Sequence, residues 1–230
     1  MFDKCALHYI LCCLLISWQV DLFAQFSEEQ LHWLESEAEH PTESVNEGVL
    51  EFIPAAASKT EHEQSMQIVM TEETITSGWA VVSQCHKNLD RVEELEIVFH
   101  RERVRDLQVT NYKNIEKAWS AGHRVVVRHI QSGSVICLRA ESQIFHPLKY
   151  KDSRQQFEMV NGPFMRRFLD GYYPLTLSLD VSYPDDRLRL DAVHPKAQPG
   201  WEIRYDAGRI YMQGRFEGKL STRLQFSLIK

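Results

Sequence analysis

The densest group of side chains able to do chemistry is Cys85-His86-Lys87-Asn88-Leu89-Asp90. A thiol, an imidazole and a carboxylate this close in sequence could ligate a soft metal such as copper, with Met66 and Met70 near by, or supply a Cys–His nucleophile. Two arguments oppose that reading. Trp79-Ala80-Val81-Val82 starts a strand that runs into Cys85, and successive strand residues face opposite ways, so Cys85 and His86 diverge. A disulfide would also remove the thiolate. On that basis His86 and Asp90 are the alternative metal ligands, and the chain calls for no cofactor.

The other histidines are scattered. His123 and His129 lie on one strand roughly 20 Å apart, too far to share an ion. No Gly-x-Ser-x-Gly, phosphate loop, His-Glu-x-x-His or haem motif occurs, so no catalytic residue is assigned. Ser132 and Ser134 flank Gly133 and read as hairpin chemistry.

The strongest candidate binding surface is basic and aromatic. Arg187, Arg189 and Arg204 lie on alternating strands, with Trp201, Tyr172 and Tyr173 interleaved. Such a face suits an envelope protein or an anionic glycan or lipid. Export, argued next, makes nucleic acid an improbable partner.

Residues 1–24 read as a signal peptide. Lys4 gives a cationic start, about 14 mostly apolar residues follow, and Ala24 sits at a cleavage position. The run is short for a membrane span, and Gln19 and Asp21 interrupt it. The expected location is the periplasm or outside the cell, with no stable span after cleavage; a retained anchor is the alternative. Cleavage removes three of the five cysteines. In an oxidising compartment the remaining two, Cys85 and Cys137, most simply pair.

Charge is unevenly spread. Residues 25–100 carry 16 acidic and 3 basic side chains, and residues 101–230 carry 14 and 22. The halves either pack on each other or present an acidic arm and a basic face.

These features need a scaffold. Residues 25–47 read as an acidic helix, from about 28 to 38, and a Pro-broken linker. From Gly48 onward apolar residues alternate with polar ones, the pattern of half-buried strands. Residues 48–146 read as a β subdomain holding the disulfide. Residues 147–174 read as a connection, with helical turns near 163–169; a further short helix near 115–120 is an option. Residues 175–230 read as a C-terminal antiparallel sheet. The expected fold is mainly β, an antiparallel sandwich or barrel of about ten strands, built as one domain or as two subdomains.

Residues 77–90, with Trp79-Ala80-Val81-Val82 and Cys85-His86, and Asp170-Gly171-Tyr172-Tyr173-Pro174 followed by alternating Leu, resemble an uncharacterised family of exported proteobacterial proteins. That family carries no assigned activity. The resemblance implies export and no mechanism. The expected function is therefore an exported, non-catalytic β protein with a binding or assembly role at the envelope. The alternatives are a metal protein or enzyme centred on Cys85, His86 and Asp90, and a structural subunit of an envelope complex.

Overall fold

The computed structural model describes residues 48–54, 61–147, 156–168 and 170–229. Expectations for residues 1–24 and 25–47 lie outside the described residues. The chain from Ser44 onward is one compact unit.

Its elements in order are β1 (Glu51–Phe52), β2 (Glu63–Val69), helix α1 (Glu72–Ser77), β3 (Trp79–Lys87), β4 (Glu94–Val98) and a 3-10 turn (Arg101–Arg103). There follow β5 (Val104–Ala121), β6 (Arg124–Gln143), β7 (Phe145–Pro147), β8 (Gln156–Phe164), β9 (Arg166–Phe168) and β10 (Gly171–Tyr173). The last five are β11 (Leu175–Ser182), β12 (Leu188–His194), β13 (Trp201–Asp206), β14 (Arg209–Glu217) and β15 (Leu220–Leu228). Eleven are five residues or longer, and the other four are pieces of two or three. The fold is mainly β, as the alternation predicts.

A nine-stranded sheet runs β1-β14-β11-β2-β3-β6-β4, with β13 on β14 and β5 on β6. A four-stranded sheet runs β12-β15-β8-β7, and β9 pairs with β10. Every pairing is antiparallel except β2 with β11. Apolar residues of both larger sheets meet in one core. Leu175, Leu177, Leu179, Ile210 and Met212 come from the first, and Phe157, Met159, Leu224 and Phe226 from the second. This is a sandwich with open sheet edges.

The topology corrects five expectations. Strand β11 pairs directly with β2, so strands from residues 48–146 and from residues 175–230 share one sheet and no subdomain boundary falls between them. Residues 156–168 form β8 and β9 rather than a connection with helical turns, and residues 115–120 belong to β5. The C-terminal strands are not one sheet: β12 and β15 lie in the second, which leaves β11, β13 and β14 in the first. Gly133 does not close a hairpin. It sits inside β6 with φ of 68°, where the β5–β6 register shifts between Lys113 and Ile115, and Asn114 Nδ2 donates to the carbonyls of Ser132 and Gly133.

That irregularity shapes the molecule. The β5–β6 ribbon shifts register three times. Asp106, Asn114 and His129 take left-handed backbone angles, φ 52–54°. Bulges of this kind bend a strand and increase its twist. The Phe99 amide bonds His123 at one end of β6, and Val104 pairs with Ser142 at the other. Only a few residues separate Phe99 from Val104, so the ribbon must curl back on itself. Its concave side holds a second apolar cluster, with Leu107, Ile115, Val127, Ile136 and Leu138.

Gly214 marks a tight approach within the first sheet. It pairs with Leu177 on one side and Trp201 on the other. A Cβ there would meet the Gly200 carbonyl and lie 2.6 Å from Trp201 Cε3. Trp201 is fully buried and stacks on Phe52 at 5.3 Å, so it has nowhere to go. Gly214→Ala should cost about 2–3 kcal/mol by overpacking, read as a lower urea midpoint; an unchanged midpoint would show that β13 can shift outward freely.

Candidate functional site

Strand β3 sorts the sequence cluster onto two faces. Cys85 and Cys137 sit directly opposite each other across β3 and β6 and form a disulfide, with Cα atoms 4.1 Å apart. Ala80, Val82, Gln84 and His86 take the buried face, away from the sulfurs. A Cys85–His86 metal or nucleophile centre is thereby excluded: the thiolate is consumed and the imidazole points the other way.

His86 instead meets His62. Gln64 on β2 lies opposite His86, and His62, two residues earlier, shares the buried side with Gln64. His86 Nδ1 and His62 Nε2 are 3.0 Å apart, and Gln84 Nε2 donates to His86 Nε2. With that donation fixed, His86 carries its proton on Nδ1 and gives it to His62 Nε2. His62 then carries its proton on Nδ1, a buried atom with no partner among the described residues. Burial pushes the His62 pKa down to about 4, helped by the Arg166 charge and opposed by Asp90. Burial, and then the His62 charge, push His86 down to about 3. Both rings are neutral at pH 7.

Asp90 closes this end of the site. Arg166 Nε donates to Asp90 Oδ2 at 2.9 Å, Nη2 donates to Oδ1 at 2.5 Å, and Nη1 donates to the Pro174 carbonyl at 3.2 Å. The two-pronged pair is half-buried and fastens β9 to the turn after β3. Asp90 is thus an arginine partner and not a metal ligand. Among the described residues no three His, Cys, Asp or Glu side chains come together in a metal-binding arrangement.

The histidines and the Asp90–Arg166 pair line one cleft of about 470 Å³, within the range of small-molecule sites. The cleft opens where the two apolar clusters fail to meet. Met66, Val82, Ile144 and Phe164 line it from the sandwich core. Leu89, Leu95, Ile97 and Phe99 line it from the curled ribbon. Arg103 stands near one end, where its Nε and Nη2 donate to the Gln143 carbonyl.

The predicted C-terminal binding face is built differently from its sequence. Arg187 pairs with Glu72, Arg189 with Asp191 and Arg204 with Glu202. Arg209, Arg215 and Arg223 pair with Asp180, Glu61 and Glu158. Each cation carries its own anion. Trp201 is fully buried and Tyr172 is 7% exposed, so neither offers a stacking surface. Tyr173 is half-buried and donates its hydroxyl to Asp170. None of Arg187, Arg189, Arg204, Trp201, Tyr172 and Tyr173 lines the cleft.

Sequence reasoning found His86 and Asp90 and missed His62 and Arg103. The signal for His62 was its strand parity with Gln64 beside a second buried imidazole, and it needed the β2–β3 register to be read. Among the described residues no helix is long and apolar enough to cross a membrane. No protein-family model matches the chain, and no curated protein matches it.

Proposed function

We propose that this chain is an exported, non-catalytic binding protein of the cell envelope that holds an apolar or amphipathic small molecule in the cleft. The observation that carries the reading is the cleft itself: about 470 Å³, bordered by two separate apolar clusters, with half-exposed Leu95, Ile97 and Phe99 on its wall. Apolar surface left facing water inside a concavity is stabilised by a ligand that covers it. The Cys85–Cys137 disulfide suits an oxidising compartment, and the N-terminal segment supports export. The ion-paired C-terminal face gives an anionic partner little to bind, which moves the binding role from that face to the cleft.

The test is titration with a neutral environment-sensitive dye such as Nile red. Saturable one-to-one binding is expected, and Ile97→Asp, with an unchanged circular dichroism spectrum, should weaken it at least about tenfold, or 1.4 kcal/mol. Non-saturable binding, or equal affinity in the variant, would sink the reading.

A further inference from the structure

We infer that the ligand of the cleft is a long-chain carboxylate whose head group pairs with Arg103; the inference rests on the cleft reading above. The charges lining the cleft are Asp90, Glu96, Arg103, Arg166 and Arg167. Asp90 is bound to Arg166, and Glu96 to Arg124. Both acids are therefore satisfied, while Arg103 and Arg167 have no carboxylate partner among the described residues. Arg167 is exposed and stacks over Tyr172, so water can serve its charge. Arg103 is different. It is half-buried, and burial lowers its pKa.

Among the described residues its side chain makes two donations, both to one carbonyl. That leaves part of a planar fork of five donors, the geometry that matches a carboxylate. The other half-buried arginines, Arg166 and Arg215, each hold a carboxylate in two-pronged fashion. Among the described residues Arg103 lacks the carboxylate that these two have. A cation in low dielectric draws an anion far more strongly than one in water.

The rest of the cleft defines what must be attached to that anion. Arg103 is anchored at Gln143, which lies opposite Trp79 at the start of β3. From Trp79 to His86 the strand extends roughly 20 Å. Along that path, and on the wall across from it, the lining includes Val82, Met66, Ile144, Ile97 and Phe99. A head group at Arg103 therefore faces the apolar side chains of Val82, Met66, Ile144, Ile97 and Phe99 first, with the polar group of Gln64, Gln84, His62 and His86 beyond them. A compact anion would leave those apolar side chains bare, and a neutral lipid would leave Arg103 without its anion.

The experiment displaces bound dye from the full chain with four probes below their micellar concentrations: laurate, dodecanol, acetate and dodecyl phosphate. Laurate should bind at least about tenfold more tightly than dodecanol, which has the same chain without the charge, and acetate should not compete. Arg103→Gln should abolish the preference while leaving dodecanol affinity unchanged, and Arg103→Lys, which keeps the charge, should retain much of it. Equal affinities for laurate and dodecanol in the wild type would overturn the inference without any variant. So would a laurate preference that survives Arg103→Gln, or dodecyl phosphate binding more tightly than laurate. Dye that binds but is displaced by none of the dodecyl probes overturns the acyl assignment and spares the cleft reading. Dye that never binds removes both.

Discussion

Lowering the pH from about 7.5 to 5 should remove about 4 kcal/mol of stability, because two buried imidazoles must stay neutral. In the unfolded chain each histidine takes up its proton near its ordinary pKa of 6.5. In the folded chain burial holds His62 down to about 4 and His86 down to about 3. Between these limits the unfolded state binds more protons, so stability is fully present above pH 6.5 and is lost as pH falls toward the folded values. Each imidazole then contributes about 1.4 kcal/mol of loss per pH unit, or roughly 2 kcal/mol each at pH 5. That is a large share of the 5–15 kcal/mol typical of a domain.

The surroundings offer little relief. Gln84 donates to His86, and His86 already shares its proton with His62. Asp90 is engaged by Arg166. The control is a His62→Gln/His86→Gln variant, in which the amide can keep one hydrogen bond without titrating. Urea midpoints across pH 4–7 should fall steeply for the wild type and much less for the variant. Parallel slopes would show that exposed carboxylates, and not this pair, govern the acid response.

The sequence made part of this site legible and hid the rest for identifiable reasons. Strand alternation alone separated Cys85 from His86, because period two is a property of the extended backbone. Setting aside the three cysteines of residues 1–24 paired Cys85 with Cys137 by elimination. What alternation cannot supply is register between distant strands. His62 and His86 are 24 residues apart, and their contact depends on β2 lying against β3 with Gln64 opposite His86. Arg166 sat in a stretch that read as a helical turn, Phe164-Met165-Arg166-Arg167-Phe168. Only the pairing of β9 with β10, Arg166 opposite Tyr173, shows it to be a ribbon.

The cleft was hidden for a different reason. It exists because the β5–β6 ribbon curls, and the curl is built from single residues, Asp106, Asn114 and His129, in left-handed conformation. Asp and Asn tolerate that geometry better than most side chains, yet nothing in their spacing announces it. Helix α1 left clearer marks: Thr71 as N-cap, Glu72 and Glu73 in the first turn, and left-handed Gly78 closing it. Trp201 shows the reverse error. Its strand alternates cleanly, but the same face is fully buried at Trp201 and 65% exposed at Tyr205, because β13 is an edge strand that the core covers at one end only.

Removing the disulfide should cost nearly as much as acid, about 4 kcal/mol, without touching the cleft. The bond joins residues 52 apart in sequence. Closing a loop of that length removes enough freedom from the unfolded chain to favour folding by about 4 kcal/mol in the chain-entropy picture. The folded state has little to rearrange when the bond is lost. Cys85 and Cys137 are already direct neighbours in register, within a run of nine paired positions between β3 and β6. Both are half-buried, so paired alanines leave no deep cavity. A Cys85→Ala/Cys137→Ala variant should therefore fold, keep its far-ultraviolet circular dichroism, and unfold at a clearly lower urea concentration. Because the sulfurs lie on the face of β3 opposite Gln84 and His86, its affinity for the cleft dye should match the wild type. A stability loss under about 1 kcal/mol would mean the unfolded chain keeps residues 85 and 137 close without help. A large drop in dye affinity at full folding would mean that the two faces of β3 are coupled, and the cleft would then depend on a bond that does not line it.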